Sequence, residues 1–392
     1  MPRPKKHSES AETVGFTPRL VLASILLFFV ALGLSTLFVT HNENDEQIYL
    51  TLADKVSKNF TDYTLQGTPL LAQLPQGTYN QPIFLRPPLF AYLLALLGFF
   101  QGRVLLPLIS GLGALWITFF IGKKLGLPPS TALNACLLLS VCPILLFAST
   151  RILIDALLAL LVSVTLLLFL TAQERSSAIL FILAGVVFGL AILTKETAVL
   201  IVPVLLYVTF RRTDEPLKTL LYFSFPAVLV CSPWFYYFHK LTGTFIKGSE
   251  ITEENLKLPF VDMMVHRPWY FYFVQIVSLS PVYAFGYFEI AERLKKNETL
   301  TEAVWVVSYF VPLTIFGLLG QGYQTRYVLP AIPGLALLTA NGLRRRANWA
   351  TITAIFLLAY ALWAAVLNSL LFRPGDLFWP FEFLVEFARK SV

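Results

Sequence analysis

Two adjacent carboxylates, Asp45 and Glu46, follow the first long apolar segment of the chain. That segment, residues 20–39, has the length of about 20 apolar residues that a bilayer-spanning helix needs. We therefore expect the pair to emerge at a membrane surface. A carboxylate pair in that place is suited to acid and base chemistry on a substrate that lies at the interface.

Charged residues also stand at the ends of later apolar segments, where they are costly unless they face a cavity, a partner or a lipid headgroup. They are Arg86, Arg151, Asp155, Lys195, Glu196 and Arg326. Basic side chains gathered on one side of a helix bundle suit a phosphate, whose oxygens arginine can bind bidentately. We expect Arg86, Lys195 and Arg326 to bind such a phosphate. Because Arg86 precedes a proline, its backbone is restricted to extended geometry and its guanidinium would be held in one place.

More local interpretations stay open for these residues. Arg151 and Asp155 are spaced i, i+4, which favours an ion pair or a cap within one helix, so they are first of all scaffold candidates. Lys195 is followed by Glu196, and a mutual surface pair would explain both charges. An arginine at the membrane edge can also reach lipid headgroups without binding a substrate. This anchoring role is the alternative for Arg86 and Arg326.

The composition is that of a membrane protein. Of the 392 residues, 56% are hydrophobic and 14% are charged, whereas soluble proteins have about 25% charged residues. The mean hydropathy is +0.69. The net charge of +7 does not indicate nucleic-acid binding, because the basic residues lie mainly in short loops between apolar segments. Cys136, Cys142 and Cys231 fall inside apolar segments without metal-ligand spacing.

Eleven apolar segments predict an all-α polytopic membrane protein with about eleven transmembrane helices. They cover residues 19–40, 103–121, 131–149, 152–171, 177–193, 197–210, 219–238, 269–290, 301–320, 327–341 and 349–372. The loops on the side of the N-terminus carry basic residues, including the triplet Arg344, Arg345 and Arg346. Basic loops mark the inner side of a membrane, so we expect the N-terminus inside and the C-terminus outside. The further apolar segment 88–100 is expected to form an amphipathic or re-entrant helix at the surface.

This topology predicts three regions. Residues 1–18 form a disordered tail on the inner side, residues 19–372 form the transmembrane domain, and residues 373–392 form a short outer tail. Two long loops, 41–102 and 239–268, are expected on the outer side together with the carboxylate pair. We accordingly expect a multi-pass protein of the cell (inner or plasma) membrane whose site lies on the outer face.

These residues, in this order and topology, resemble the polytopic glycosyltransferases of the GT-C class, and among them the protein mannosyltransferases and the lipid A aminoarabinose transferases. The resemblance covers about residues 19–345. Five short motifs carry it: Asp45-Glu46, Arg86-Pro87-Pro88-Leu89-Phe90, Arg151-Ile152-Leu153-Ile154-Asp155, Leu193-Thr194-Lys195-Glu196 and Arg326-Tyr327-Val328-Leu329-Pro330. The chain departs from the family pattern at Glu196, where a small residue is expected.

The resemblance implies a GT-C-like fold and the transfer of a sugar, hexosyl or pentosyl, from a polyprenyl-phosphate carrier to an acceptor on the outer side of the membrane. It implies that Asp45 is the catalytic base and that Arg86 and Lys195 lie near the donor phosphate. We expect an inverting displacement in which Asp45 takes the proton of an acceptor hydroxyl or amine. The three basic residues would offset the charge that develops on the phosphate. Glu46 points about 100° away on a helix and would orient a neighbour or a metal.

The expected partners are a polyprenyl-phosphate-linked sugar, a protein or lipid acceptor and membrane lipids. A divalent metal, Mg²⁺ or Mn²⁺, is compatible with the carboxylate pair, but the sequence offers no third ligand of clear spacing. A transporter or flippase of lipid-linked saccharides is one alternative, but it would more often show two related halves and charges near the bilayer midplane. A polymerase or ligase of surface polysaccharide is another, and it would be expected to rely on a large outer loop late in the chain.

Overall fold

The computed structural model describes residues 17–37, 44–74, 79–98, 105–245, 268–298, 300–321, 324–346 and 348–370. Most of the predicted outer loop 239–268 and the whole predicted tail 373–392 lie outside these residues. The predicted tail 1–18 also lies outside them, except for its last two residues.

The described residues are mostly helical and contain no β-strand, so the predicted all-α class is confirmed for this part of the chain. The α-helices are α1 (Pro18–Leu37), α2 (Asn44–Lys58), α3 (Leu89–Leu97), α4 (Leu105–Lys124), α5 (Pro129–Ser140), α6 (Pro143–Ser149), α7 (Ile154–Arg175), α8 (Ala178–Thr194), α9 (Val202–Arg212), α10 (Pro216–Thr242), α11 (Phe271–Leu279), α12 (Ala284–Lys295), α13 (Thr301–Phe316), α14 (Ile332–Arg344) and α15 (Asn348–Leu370). Short 3₁₀ turns cover Pro69–Gln73, Glu196–Ile201, Pro281–Tyr283 and Thr325–Ala331.

Five described helices are long and apolar enough to cross a membrane: α1, α4, α7, α10 and the segment Thr301–Leu319 that contains α13. The bent pair α5 and α6 makes a sixth if it forms one span, and α8 is a shorter apolar helix. By helix length and composition the chain is an integral membrane protein, in agreement with the sequence. The number of eleven spans and the orientation of the termini stay predictions.

Prolines divide several apolar segments that the sequence presents as single spans. α5 ends at Ser140, α6 begins at Pro143, and the two helices are bent by 63° relative to each other. The segment 269–290 is likewise divided between α11 and α12 by the turn that begins at Pro281. Proline lacks a backbone N–H and its ring clashes with the preceding turn, so a helix tends to break or kink there. A count of apolar residues does not register such a break.

The segment between α1 and α4 has a small apolar core of its own. Ile48, Leu52 and Val56 are spaced i, i+4 and i+8 along α2 and therefore form one buried face. α3 packs against this face, and the cluster reaches the bundle through Leu157 of α7 and Phe238 of α10. The first turn of α2 is thereby held beside the start of α7.

α3 is the helix that follows the two prolines at positions 87 and 88. It has nine residues, which is about 14 Å of helix. The hydrocarbon core of a bilayer is about 30 Å thick, so α3 is too short to cross it.

α8 and α10 pack with their backbones in contact. Gly185 and Gly189 of α8 follow the small-xxx-small spacing of closely packed membrane helices. A Cβ atom on Gly185 would lie 2.1 Å from the carbonyl oxygen of Phe223, and one on Gly189 would lie 2.9 Å from that of Ala227. The absence of a side chain at these positions permits the approach, which fixes the end of α8 that leads to Lys195.

Buried ions also join α12, α13 and α14. Glu289 Oε1 accepts hydrogen bonds from Arg293 Nε at 2.9 Å and from Asn341 Nδ2 at 2.6 Å. Arg293 also pairs with Glu302, in the first turn of α13, at 3.1 Å. Glu302 lies in the first turn of α13 and Arg326 follows the end of this helix, so the network stands at the other end of α13 from position 326. The network adjoins the arginine triplet at the end of α14. This triplet marks the predicted inner side of the membrane.

Replacing Gly185 with valine should separate α8 from α10, because its Cβ meets the backbone of Phe223 rather than a side chain that can move. We expect a loss of about 1–3 kcal/mol or more in the free energy of unfolding. The measurement is the apparent midpoint of thermal unfolding in detergent. Leu183→Ala, a change at an exposed position of the same helix, is the control and should shift it little. Equal effects of the two substitutions would contradict backbone contact at Gly185.

Candidate active site

Asp45 and Arg326 form a direct ion pair between Oδ2 and Nη2, although they are 281 positions apart. Asp45 lies in the first turn of α2, and Arg326 lies in the 3₁₀ turn that precedes α14. Arg326 Nε donates a hydrogen bond to Gln324 Oε1 at 2.8 Å and is 3.6 Å from Asp155 Oδ2. The guanidinium therefore bridges two carboxylates that belong to different helices.

Asp155 is also paired with Lys195, whose Nζ is 2.9 Å from Oδ1. Both side chains are almost completely buried, with 2% and 4% exposure. The ammonium group lies 3.9 Å from the centroid of the Tyr327 ring, within the range of a cation–π contact. A buried charge is costly unless it is paired, and these contacts meet that need. Asp45, Arg326, Asp155 and Lys195 thus form an ion-pair chain of alternating sign.

Each member of the ion-pair chain stands at or near the end of a helix. Asp45 and Asp155 occupy the first turns of α2 and α7, where a carboxylate meets the positive end of the helix dipole. Lys195 caps the C-terminal end of α8, where its extended backbone (φ −160°, ψ 136°) stops the helix and a cation is favourable. Arg326 stands in the turn just before α14. The bundle therefore brings the ends of separate helices to one place.

Glu46 does not share the ion pair of its neighbour. It is buried, and its Oε1 accepts a hydrogen bond from the backbone N–H of Ile152 at 2.9 Å. This bond fastens the first turn of α2 to the loop that leads into α7. The sequence predicts that Glu46 orients a neighbouring group or a metal, and this role stays a prediction.

Two local pairings expected from the sequence do not form. The ion partners of Asp155 are Lys195 and Arg326, not Arg151 at i−4. The guanidinium of Arg151 lies over the Phe147 ring, 4.5 Å from its centroid. Lys195 pairs with Asp155 rather than with the Glu196 beside it in sequence. In both cases a partner on another helix replaces the nearest one along the chain.

Arg86 stands on a corner that other side chains hold in place. The hydroxyl of Tyr63 donates to the carbonyl of Pro87 at 3.2 Å, and the carbonyl of Tyr63 accepts from the N–H of Phe84 at 2.7 Å. Arg86 is half-buried, and within the described part of the chain it makes no hydrogen bond and no ion pair. Its guanidinium donors are therefore available to a ligand.

Electrostatic neighbours nevertheless surround this guanidinium. Burial alone would lower the pKa of Arg86, but Tyr49, Tyr327, Asp45 and Glu196 together raise it well above its ordinary value. Arg86 is accordingly a permanent cation, close enough to Asp45 to act on its charge.

The pKa of Asp45 reflects the same surroundings. Burial alone would raise it, but the charges of Arg326, Arg86 and Lys195 outweigh burial and hold the pKa of Asp45 below its ordinary value of 3.8. Burial has the larger effect on Glu196 and raises its pKa, against the opposing charges of Arg86 and Lys195. The two carboxylates thus differ: Asp45 is held as an anion, whereas Glu196 takes a proton more readily than usual.

Tyr49 is a further candidate residue that the sequence analysis missed. It follows Asp45 by four positions on α2, so both side chains lie on one face of the helix. Its ring packs edge-on against Phe90, with the centroids 5.2 Å apart. Burial raises the pKa of Tyr49, so its hydroxyl stays protonated as a hydrogen-bond donor, and the charges of Arg86 and Asp45 act on it as well. The i, i+4 spacing from Asp45 is the signal that could have identified it.

The described residues contain no group of three or more His, Cys, Asp or Glu side chains arranged to hold a metal ion. The ion-pair chain itself supplies two carboxylates, and each already has a cationic partner.

Comparisons with known proteins agree with the resemblance seen in the sequence. Residues 85–237 match the family described as dolichyl-phosphate-mannose-protein mannosyltransferase. This stretch includes Arg86 and Lys195 but neither Asp45 nor Arg326. An uncharacterised protein of Aquifex aeolicus (strain VF5) is 25% identical over 271 residues, which are 67% of this chain and 53% of that protein. The chain therefore spans about half the length of the curated relative that it matches.

Solved structures share the fold. ArnT from Cupriavidus metallidurans in the apo state matches with a TM-score of 0.59 and 19% identity, over 88% of this chain and 69% of that one. ArnT bound to undecaprenyl phosphate matches with a TM-score of 0.64 and 18% identity, over 88% and 63%. The Archaeoglobus fulgidus oligosaccharyltransferase, tethered with an acceptor peptide, matches with a TM-score of 0.50 and 15% identity, over 90% and 54%. The chain resembles the mannosyltransferase and ArnT family and has the GT-C fold, as its motifs predict.

Removing the two most buried members of the ion-pair chain, Asp155 and Lys195, should lower the free energy of unfolding by unequal amounts. Asp155→Ala leaves Lys195 buried without its anionic partner, a kind of change that costs about 3–5 kcal/mol. Lys195→Ala leaves Asp155 beside Arg326 and should cost less. The midpoint of thermal unfolding in detergent measures both.

Lys218→Ala is the control for this comparison, because it breaks an exposed pair with Glu215 and should change the midpoint little. A larger loss from Lys195→Ala than from Asp155→Ala would contradict the bridging role of Asp155.

Proposed function

We propose that this protein is an inverting glycosyltransferase that moves a sugar from a polyprenyl-phosphate donor to a protein or lipid-linked acceptor on the outer face of the membrane. The observation that carries the proposal is the meeting of Asp45 and Arg326 beside Arg86. A carboxylate with 34% exposure thus stands near a guanidinium that makes no hydrogen bond or ion pair with the described residues. The first can take a proton, and the second can bind a phosphate.

The chemistry needs one displacement. An acceptor hydroxyl or amine attacks the anomeric carbon, the bond from that carbon to the phosphate oxygen breaks, and its electron pair leaves with the polyprenyl phosphate. The acceptor loses its proton to Asp45. Because there is a single displacement, the configuration at the anomeric carbon inverts and no covalent enzyme intermediate forms. Positioned proton transfer of this kind contributes about 10²–10⁴-fold to the rate.

The basic residues take unequal parts in this reaction. Arg86 is the direct phosphate ligand, because its donors are available and its backbone corner is fixed. Lys195 is engaged by Asp155 and the Tyr327 ring, so it acts on the phosphate as a charge at a distance. Arg326 contributes positive charge from its position beside Asp45. Fixed cations stabilise the negative charge that develops on the leaving phosphate.

Two of the comparisons support a lipid-phosphate donor, and a third bears on the acceptor. The matched family is named for dolichyl-phosphate-mannose, and ArnT was solved with undecaprenyl phosphate bound. The oligosaccharyltransferase was solved with an acceptor peptide. In this chain the apolar helix α3 begins three positions after Arg86, and Leu96 on it is 64% exposed. A polyprenyl tail can therefore lie along α3 while its phosphate reaches the arginine.

The direct test is an assay of the purified full-length chain in nanodiscs with labelled polyprenyl-phosphate hexoses and pentoses, run with Mg²⁺, with Mn²⁺ and with a chelator. We expect transfer from at least one donor. Asp45→Asn keeps the size of the side chain but cannot take the proton, so kcat should fall by about 10²–10⁴-fold. Full activity of correctly folded Asp45→Asn would contradict the base role. Movement of intact donor across the bilayer without sugar transfer would instead support a flippase.

Arg86→Ala tests the donor side of the same assay. We expect kcat/KM for the donor to fall by about 10²-fold or more, with partial recovery in Arg86→Lys, because lysine restores the charge but not the bidentate geometry. Arg175→Ala, which changes an exposed arginine at the other end of α7, is the matched control and should retain activity. Equal behaviour of the two alanine variants would contradict phosphate binding by Arg86.

A further inference from the structure

We propose that Arg326 exchanges its contact with Asp45 for a contact with the donor phosphate, so that donor binding releases the carboxylate for the acceptor. The inference rests on the proposed function, because it gives an order to the two substrates of that reaction. The phosphodiester donor enters first, and the acceptor is activated second.

The pair between Asp45 and Arg326 opposes base catalysis as it stands. Asp45 Oδ2 is in contact with Arg326 Nη2. A carboxylate in contact with a guanidinium has its anionic form stabilised, so it accepts a proton less readily. The Asp45 side chain is 34% exposed, which leaves it within reach of a substrate. Loosening of this contact therefore makes Asp45 a stronger base toward an acceptor.

Arg326 is held at one end of its guanidinium and contacts Asp45 with the other. Nε donates to Gln324 Oε1 at 2.8 Å and faces Asp155 at 3.6 Å. Asp155 is fixed in turn by its pair with Lys195. The Nη2 end, in contrast, meets the most exposed member of the ion-pair chain. A small rotation of the side chain can move Nη2 from a carboxylate to a phosphate oxygen while Nε stays beside Asp155.

The other charges around Asp45 favour this exchange. The charged and titratable groups that act on Asp45 are Tyr49 of α2, Tyr79 and Arg86 of the segment before α3, Lys195 at the end of α8, and Arg326 before α14. Glu46, Asp155, Glu196 and Tyr327 adjoin these groups in sequence or by their own interactions. A phosphodiester bound at Arg86 adds one negative charge to this group. An added anion raises the proton affinity of a nearby carboxylate and competes with it for the same cation.

The exchange gives donor binding a defined pH dependence. The pKa of Asp45 lies below 3.8 while the surrounding cations hold it, and it rises when Arg326 leaves. At a pH between these two pKa values, Asp45 takes up a proton when the donor binds. The Kd for the donor therefore falls as the pH falls through this range. Asp45→Asn has no such proton and should lose this part of the pH dependence of the Kd.

The experiment is a double-mutant cycle on binding of undecaprenyl methyl phosphate, a phosphodiester without a transferable sugar. The full-length chain in nanodiscs is titrated as wild type, Asp45→Asn, Arg326→Lys and the double variant. Asp45→Asn should bind the probe more tightly, by about fivefold or more, because residues in direct contact couple by such factors. With Arg326→Lys the same substitution should have little effect, because the shorter side chain no longer links Asp45 to the phosphate.

Glu196→Gln is the matched control, because it removes another carboxylate of the site that makes no ion pair with Arg326. Its effect on the Kd should be the same whether position 326 is arginine or lysine. Equal tightening by Asp45→Asn in both backgrounds would overturn the exchange and leave only a general charge effect. Thermal midpoints of all variants exclude misfolding as the cause of a weak signal.

The binding measurements also distinguish a failure of the proposed function from a failure of the exchange. If the wild type does not bind the phosphodiester, or if Arg86→Ala binds it equally well, then the site is not a donor-phosphate site. If the probe binds through Arg86 but the cycle is additive, the function stands and the exchange by Arg326 is wrong.

Discussion

The bridge that Arg326 makes between Asp45 and Asp155 is the interaction on which the site depends. Buried charges are tolerated when each has a partner of opposite sign, and removing one partner leaves the other uncompensated. Here the pairing extends to Lys195, so three helices and a 3₁₀ turn far apart in sequence share one electrostatic arrangement. The same pairing keeps Asp45 anionic without giving it free access to a proton.

The rest of the bundle serves to bring helix ends together. α8 reaches its place because Gly185 and Gly189 let it pack on the backbone of α10. α2 reaches its place because its apolar face packs with α3 and because Glu46 bonds to the backbone of Ile152. Helix ends carry backbone dipoles and unpaired backbone groups, so they tolerate charges that the middle of a membrane helix would not. A polar site at one end of an apolar bundle follows from this placement.

Sequence reasoning selected Asp45, Arg86, Lys195 and Arg326 as candidates because charges beside apolar segments are rare and costly. It did not identify which charges pair. The i, i+4 rule suggested Asp155 with Arg151, but tertiary packing gave Asp155 two partners from α8 and the turn before α14. Such pairs between distant helices leave no local pattern. The long spans α1, α4, α7 and α10 were recognisable by length, whereas the break at Pro143 depends on one residue within an apolar segment.

In the proposed function, one site joins a carboxylate base to a phosphate-binding arginine. The most direct measurement is a cryo-electron microscopy structure of the full chain in a nanodisc with undecaprenyl methyl phosphate. We expect a phosphate oxygen within about 3 Å of the Arg86 guanidinium, the distance of a charge-assisted hydrogen bond, with Asp45 no longer in contact with Arg326. Phosphate density more than about 10 Å from both residues, beyond the range of direct charge interaction, with the Asp45–Arg326 pair intact, would contradict it.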